Sequence, residues 1–284
     1  MILLDYSSVV MSSIIPKIDE FEDKIDLIRH QIFNLIRYYN VQYRDDYGQL
    51  VICCDAGNNW RKESFPLYKA NRKKNRDNSV HDWQSIFSAL SQVRQEVQDH
   101  MPFRMVYVDR CEADDAIGVL AAKYSAVDPV MIVSPDRDFV QLQQYANVSQ
   151  FSNIQKKMVV PKHGSAKADL LEKIMRGDVG DGVPNVLSDD DVLIDENKRQ
   201  TPLSKKKLEM LVENPEALGT SVARRIIRNR NVVDLDYTPK ELKSEIISQF
   251  TAPPKGNITK LMTLFTKYRM NIMMESLQDF EVHH

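Results

Sequence analysis

The sequence predicts an α/β fold in which a parallel sheet, covered by helices on both faces, is followed by a smaller all-helical region. Three observations carry that expectation. Short apolar runs recur without polar alternation, as in strands buried on both faces. Segments with apolar residues at helical spacing separate them, the alternation that builds parallel sheets. Past about Lys162 the helical patterns continue and no convincing strand follows.

The strand candidates are residues 2–4, 50–54, 104–108 and 130–133, with a fifth around 148–151. Between them lie three helical stripes: Ile25, Ile28, Ile32, Leu35 and Ile36; then Trp83, Ile86, Phe87, Leu90, Val93 and Val97; then Ile117, Leu120, Ala121 and Tyr124. Helices are expected over 170–175, 205–212, 221–228, 242–250 and 258–274. Residues 187–204 are polar and flip in charge, from Asp189, Asp190, Asp191, Asp195 and Glu196 to Lys198 and Arg199, so they read as an exposed, mobile connection. The expected domains are 1–182, with a basic segment at about 59–82, and a helical region over 183–284.

The 284 residues carry 38 Lys+Arg against 40 Asp+Glu, a net charge of −2, and 43% of them are hydrophobic. Such a chain can bury a core, which excludes a disordered or collagen-like protein. No window approaches the ~18 consecutive apolar residues of a membrane span, and an acid at position 5 comes too early for a signal peptide. A soluble, intracellular protein is expected. Three cysteines, Cys53 and Cys54 among them, make neither a disulfide framework nor a zinc site and read as small core residues. The near-zero net charge hides strong local segregation.

The acids are placed at strand ends: Asp5, Asp55, and the pair Asp136 and Asp138. The third strand is followed by Glu112, Asp114 and Asp115 at a helix start, and Asp178 and Asp181 sit beside glycines at a helix end. A lone Asp after a strand is most often a cap or turn residue, and Asp109 is left with that role. In an open parallel sheet, however, the site lies outside the carboxyl ends of the strands. Nine carboxylates directed to one crevice repel one another unless cations compensate. Oxygen ligands without His or Cys favour Mg²⁺, with Mn²⁺ as a substitute. Two such ions can activate water and stabilise a leaving oxygen in phosphodiester cleavage.

Residues 61–76 hold seven basic residues and one acid, interleaved with Phe65 and Tyr68 and preceded by Trp60. Arg61, Lys62, Lys69, Arg72, Lys73, Lys74 and Arg76 suit a phosphate backbone, and the aromatics suit bases. Lys69 and Arg72 would share a face if the segment is helical. Arg224 and Arg225 are candidates for duplex phosphates, with plain solvation an equal alternative. The histidines show no metal-ligand spacing, and His283-His284 reads as an exposed end.

In order and spacing these motifs resemble the flap-endonuclease (5′-nuclease) superfamily, and within it the phage ribonuclease H branch. The motifs are Leu4-Asp5, Cys54-Asp55-Ala56, Tyr68-Lys69-Ala70-Asn71-Arg72, Glu112-Ala113-Asp114-Asp115, Ser134-Pro135-Asp136-Arg137-Asp138-Phe139 and Gly177-Asp178-Val179-Gly180-Asp181. The resemblance implies a PIN-like nuclease domain with Asp5, Asp55, Glu112, Asp114 and Asp136 as inner metal ligands. Asp115, Asp138, Asp178 and Asp181 would form a second, partly water-mediated set. Lys69 and Arg72 would touch the scissile phosphate from an arch over the site, with Arg61 assisting.

It further implies Mg²⁺-dependent 5′ to 3′ hydrolysis of RNA primers in RNA·DNA hybrids and of 5′-ended, flapped or forked duplex DNA, in lagging-strand primer removal. A single-stranded-DNA-binding protein and a sliding clamp are the implied partners, and the host cytoplasm the implied location for a phage protein. A monomer is expected. Where the family commonly has Asp-Asn-Ile-Pro-Gly and then Gly-Ile-Gly, this chain has Asp181-Gly182-Val183-Pro184-Asn185-Val186 and a charged stretch. That departure puts a potassium-dependent duplex contact in question. Arg199-Gln200-Thr201-Pro202 resembles the phage branch.

Two other classes compete. A haloacid-dehalogenase-like phosphatase also uses strand-end acids, but needs a second acid two residues after the first, and Asp5-Tyr6-Ser7 lacks it. A non-catalytic nucleic-acid-binding protein would need only the basic segment, and the nine acids would burden it.

Overall fold

The computed structural model describes residues 1–17, 24–71, 82–213 and 219–282. Arg72, Lys73, Lys74, Arg76 and His283-His284 lie outside the described residues. The chain divides into two compact units. The first takes in residues 1–57, 82–159 and 240–284; the second takes in 58–81 and 160–239. This division differs from a linear cut at 182/183. The basic segment packs in the second unit, and the last 45 residues pack in the first.

The first unit is built on a six-stranded sheet: β1 (Ile2–Asp5), β2 (Leu50–Cys53), β3 (Arg104–Val106), β4 (Val130–Val133), β5 (Val148–Ser152) and β6 (Lys157–Met158). Their order is β3-β2-β1-β4-β5-β6. β1 to β5 are parallel, and β6, too short to show as a strand in the sequence, runs antiparallel to β5. β1, β2 and β4 are buried at every position, which is why they read as unbroken apolar runs.

Helices α1 (Tyr6–Ile14), α2 (Ile25–Tyr47), α4 (Trp83–His100) and α5 (Ala113–Tyr124) alternate with these strands; α3 (Arg61–Ser64) belongs to the second unit. α4 starts where Asp82 accepts the N–H groups of Gln84 and Ser85. Its stripe Ile86, Leu90, Val93 and Val97 meets Ile28, Ile32, Phe33 and Ile36 of α2 in one core. Each such buried side chain contributes about 2 kcal/mol of apolar transfer.

The C-terminal helices α9 (Lys240–Thr251), α10 (Ile258–Lys267) and α11 (Asn271–Glu275) complete this unit. Leu261, Leu264, Phe265, Met273 and Phe280 belong to the same core as Ile2 and Phe33. The Phe265 ring lies edge-on to Phe33 at 5.8 Å and to Phe280 at 5.5 Å. The stripe read as one helix over 258–274 is broken in the structure, because Arg269 turns to φ +53 between α10 and α11.

The second unit holds α3 (Arg61–Ser64), α6 (Ala166–Arg176), α7 (Lys205–Glu213) and α8 (Thr220–Val233). They pack around Phe65, Tyr68, Ile174, Met175, Val183, Val186, Leu211 and Ile226. The connection over 187–204 is more tightly bonded than its polarity suggests. Asn185 N–H donates to Gln200, Asn185 Nδ2 to the Thr201 carbonyl, and Thr201 N–H to Ser188 Oγ. Cys53, Cys54 and Cys111 are free and buried, as expected of core residues. No helix among the described residues is long and apolar enough to cross a membrane.

Candidate active site

Strand register brings the first acids together. Asp5 pairs with Cys53, two residues before Asp55, and Leu4 pairs with Val133, three before Asp136. β2, β1 and β4 are adjacent, so Asp5, Asp55 and Asp136 leave neighbouring strands at their carboxyl ends. The sheet order reverses between β1 and β4, the place where open α/β sheets form their crevice.

Asp5, Asp55, Asp115 and Asp136 also accept fixed hydrogen bonds, so the capping role and the cluster coexist. Asp5, 4% exposed, accepts Ser8 N–H at 3.1 Å and Ser134 Oγ–H at 2.7 Å. Asp55 accepts the Ala113 N–H at 2.8 Å, which joins the end of β2 to the first turn of α5. Glu112 is the N-cap of α5, and its N–H donates to Asp115 at 2.9 Å. Asp115 is fully buried there, so its carboxylate orients Glu112; Asp114, half-buried, follows in the same turn. Asp136 accepts Asp138 N–H at 2.9 Å.

Burial above all, then the charges of Asp55 and Asp136, push the Asp5 carboxyl up to about 7, against the hydrogen bonds from Ser134 and Ser8. The repulsion expected from the sequence is thus present in the first unit. The donor set fits a hard divalent cation: it consists of carboxylate oxygens, and burial pushes the neighbouring Cys53 and Cys54 thiols up, which keeps them protonated.

Asp178 and Asp181 lie in the second unit, on a tight turn. Asp178 and Val183 exchange both backbone hydrogen bonds, at 2.8 and 2.7 Å. Gly177 allows that turn, since its φ is +70 and a Cβ would stand 2.3 Å from the Val183 carbonyl oxygen. Burial raises Asp178, but its ion pair with Lys173 at 2.8 Å and nearby N–H donors bring it below the ordinary carboxylate range. Lys69 is bound to the same turn: its N–H donates to the Asp181 carbonyl at 2.8 Å, and its ammonium lies 3.7 Å from the Asp181 carboxylate. Gly182, at φ +71, lets that segment approach; a Cβ there would lie 3.2 Å from the Leu67 carbonyl oxygen.

The structure places the expected substrate contacts differently from one another, and Arg61 and Tyr68 are corrected. Arg61 is 1% exposed and donates to the Val232 carbonyl at 2.9 Å, so it anchors the segment from inside. Tyr68 is 3% exposed and gives its hydroxyl hydrogen to Asp181 at 3.0 Å. Trp60 and Phe65 are buried as well, so these aromatics serve packing and present no faces to bases. Lys62 is exposed, as a phosphate contact requires. Arg224 makes a bidentate pair with Asp190 at 3.1 and 3.2 Å, and Arg225 pairs with Asp189. The sharing of a face by Lys69 and Arg72 falls outside the described residues.

Sequence reasoning missed the residues that hold the acids. Ser134, fully buried, donates to Asp5 and accepts the Asp136 N–H. Gln150, also fully buried, donates to the carbonyls of Ser134 and Asp136 at 3.0 and 2.6 Å. The available signal was a glutamine at an inward position of β5, a buried polar group that needs partners. Asn229 donates to the Ile174 and Pro184 carbonyls at 2.7 and 2.9 Å, bracing both sides of the Asp178 turn.

Comparison with known proteins agrees with this geometry. The family model of the 5′-3′ exonuclease N-terminal resolvase-like domain matches residues 22–170, and that of the T4 RNase H C-terminal region matches 164–280. Ribonuclease H of Enterobacteria phage T4 is 31% identical over 293 aligned positions, covering 98% of this chain and 95% of the relative. A Shewanella flap endonuclease Xni is 25% identical over 66% of this chain and 69% of its own length. The fold matches bacteriophage T5 flap endonuclease solved with DNA and metal ions, at TM-score 0.61 and 16% identity, over 96% of this chain and 97% of that one. It also matches T5 5′-exonuclease with zinc bound, at TM-score 0.59 and 15% identity, over 96% and 98%. These matches set aside the phosphatase and non-catalytic readings. Strand-end acids on a 3-2-1-4-5 sheet, with near full-length similarity to a phage ribonuclease H, identify the chain as a nuclease belonging to the 5′-3′ exonuclease family, in its T4 ribonuclease H branch.

Proposed function

We propose that the chain is a Mg²⁺-dependent 5′ to 3′ nuclease that hydrolyses phosphodiester bonds in the RNA of RNA·DNA hybrids and in 5′-ended or flapped duplex DNA, as required for lagging-strand primer removal in phage replication. The observation that supports this most is the delivery of Asp5, Asp55 and Asp136 from three adjacent strand ends, with Asp55 bonded to the helix start that carries Glu112 and Asp114. A pair of Mg²⁺ ions would supply an activated water and compensate the charge on the leaving oxygen, with Mn²⁺ able to replace them.

Asp5, Asp55, Glu112, Asp114 and Asp136 are the residues assigned to hold metal. Asp138, Asp178 and Asp181 form the outer set, and Asp115 acts through Glu112. Lys69 and Arg72 bind the scissile phosphate, while Lys62, Lys73, Lys74 and Arg76 hold the strand. Arg224 and Arg225 take duplex phosphates, in exchange for the carboxylates they now face. The protein works as a monomer in the host cytoplasm, beside a single-stranded-DNA-binding protein and a sliding clamp.

The test is a denaturing gel of an end-labelled 5′-flapped duplex and an RNA·DNA hybrid, with Mg²⁺ or EDTA. Short products from 5′ ends are expected only with Mg²⁺, and Asp136→Asn should reduce their rate by roughly 100-fold or more. Cleavage that persists in EDTA, or in the Asp136→Asn protein at the parental rate, would sink the assignment.

A further inference from the structure

A cleft of about 420 Å³ opens within the first unit beside β3, which is the edge strand of the sheet. Phe103, Met105, Tyr107, Ala252, Pro253 and Pro254 are among its lining residues. Its rim is fixed by close contact. A Cβ on Gly256 would meet the Met101 carbonyl oxygen at 2.2 Å, and Lys260 Nζ holds the Lys255 carbonyl at 2.7 Å. The shape is therefore set before any ligand arrives, which lowers the ordering cost of binding.

The polar lining is one-sided. Gln98, Arg104, Gln249 and Lys255 contribute nitrogen donors, and no acidic residue lines the cleft. Arg104 uses Nη1 on Gln49, and Gln249 uses its oxygen to accept the Tyr107 N–H at 2.9 Å. Among the described residues, Arg104 Nη2, Gln249 Nε2, the Gln98 amide and the Lys255 ammonium have no hydrogen-bond or ion-pair partner. The Tyr107 N–H points away from β2 to Gln249, and strand alternation directs the Met105 N–H to the same edge.

An edge strand with donors, two cations and an apolar wall matches an extended chain that carries carboxylates and apolar side chains in alternation. We propose that this cleft docks a short acidic, extended peptide segment of a partner protein. The segment pairs with the β3 edge at Met105, places carboxylates against Arg104 and Lys255, and buries an apolar side chain against Pro253 and Phe103. A polynucleotide fits less well, since its evenly spaced phosphates call for a track of cations and this cleft is lined by two, Arg104 and Lys255. The proposal does not depend on the nuclease assignment.

Fluorescence anisotropy of the full chain in EDTA tests it, with a labelled hexapeptide of alternating Asp and Phe ending in a free carboxylate. A Lys/Phe hexapeptide is the charge control, and a single-stranded 20-nucleotide DNA is the competitor. Saturable binding of the Asp/Phe peptide is expected, weakened at least tenfold by Lys255→Glu and also by Gln98→Glu, with little binding of the Lys/Phe peptide and no displacement by DNA. Lys255 is exposed and Gln98 half-buried, and flap cleavage in Mg²⁺ should stay at the parental rate in both variants. No binding up to millimolar peptide, equal binding by both variants, or displacement by the oligonucleotide would overturn the proposal; the last would point to nucleic acid as the occupant.

Discussion

Asp5 concentrates in one carboxyl the conflict between burial and charge. Its folded-state value of about 7 lies above the ordinary carboxylate value, so the metal-free folded protein binds a proton that the unfolded chain has released. Stability from this group is present below about pH 4 and is lost as pH rises toward 7, a cost of roughly 4 kcal/mol at neutral pH. In EDTA, the melting temperature of Asp5→Asn should therefore rise relative to the parent as pH goes from 5 to 8. A parallel pH dependence of the two proteins would refute the conflict. Ser134→Ala removes the hydroxyl that donates to Asp5. It should weaken Mn²⁺ binding, measured by calorimetry, about 10- to 100-fold and cost about 1–3 kcal/mol in chemical denaturation. At this scale the acids were legible because each ends an apolar run. The partners Ser134 and Gln150 were not, since their bonds span 129 and 14–16 residues of sequence. Arg61 and Tyr68 were misread for a related reason: a row of cations conceals which member turns inward.

Among the elements, α8 and the acidic turn before it bind each other's charges. Asp190 takes both Arg224 and Arg228, and Asp189 takes Arg225. A carboxylate presents to a guanidinium the same two-oxygen edge as a phosphate. Duplex DNA must then displace Asp189 and Asp190 to reach Arg224 and Arg225. The double substitution Asp189→Asn, Asp190→Asn should raise duplex affinity by roughly tenfold at low salt and steepen its salt dependence. Unchanged affinity across a salt titration would remove Arg224 and Arg225 from the duplex contacts. β1, β2 and β4 were readable because burial on both faces writes them as apolar runs. β6, two residues long, left no such trace. The end of α10 was hidden because the apolar stripe continues past the left-handed Arg269.

Over the whole molecule, the order of elements along the chain was legible and the partition into compact units was not. The change from strands to helices near residue 160 suggested a simple succession of domains. The structure instead returns residues 240–284 to the first unit, where Arg37 pairs with Asp279 at 2.7 Å and Asn40 bonds the Asp279 carbonyl at 2.8 Å. Apolar periodicity states that a helix has a buried face and not which core receives it. A fragment of residues 1–182 lacks Leu261, Leu264, Phe265, Met273 and Phe280 and should fail to fold cooperatively, at a cost well above the 5–15 kcal/mol stability of a typical domain. Circular dichroism with a sharp thermal transition in that fragment would contradict the shared core.

The same return of the chain carries a consequence for biosynthesis. A ribosome adds about 5–20 residues each second, and the N-terminal sheet emerges long before Phe280, which packs in the core with Ile2 and Phe33. For the seconds in between, the strands that carry Asp5, Asp55 and Asp136 wait beside an open apolar face. The nascent chain is thus expected to offer that apolar face to cellular holdases until residues 261–280 have emerged.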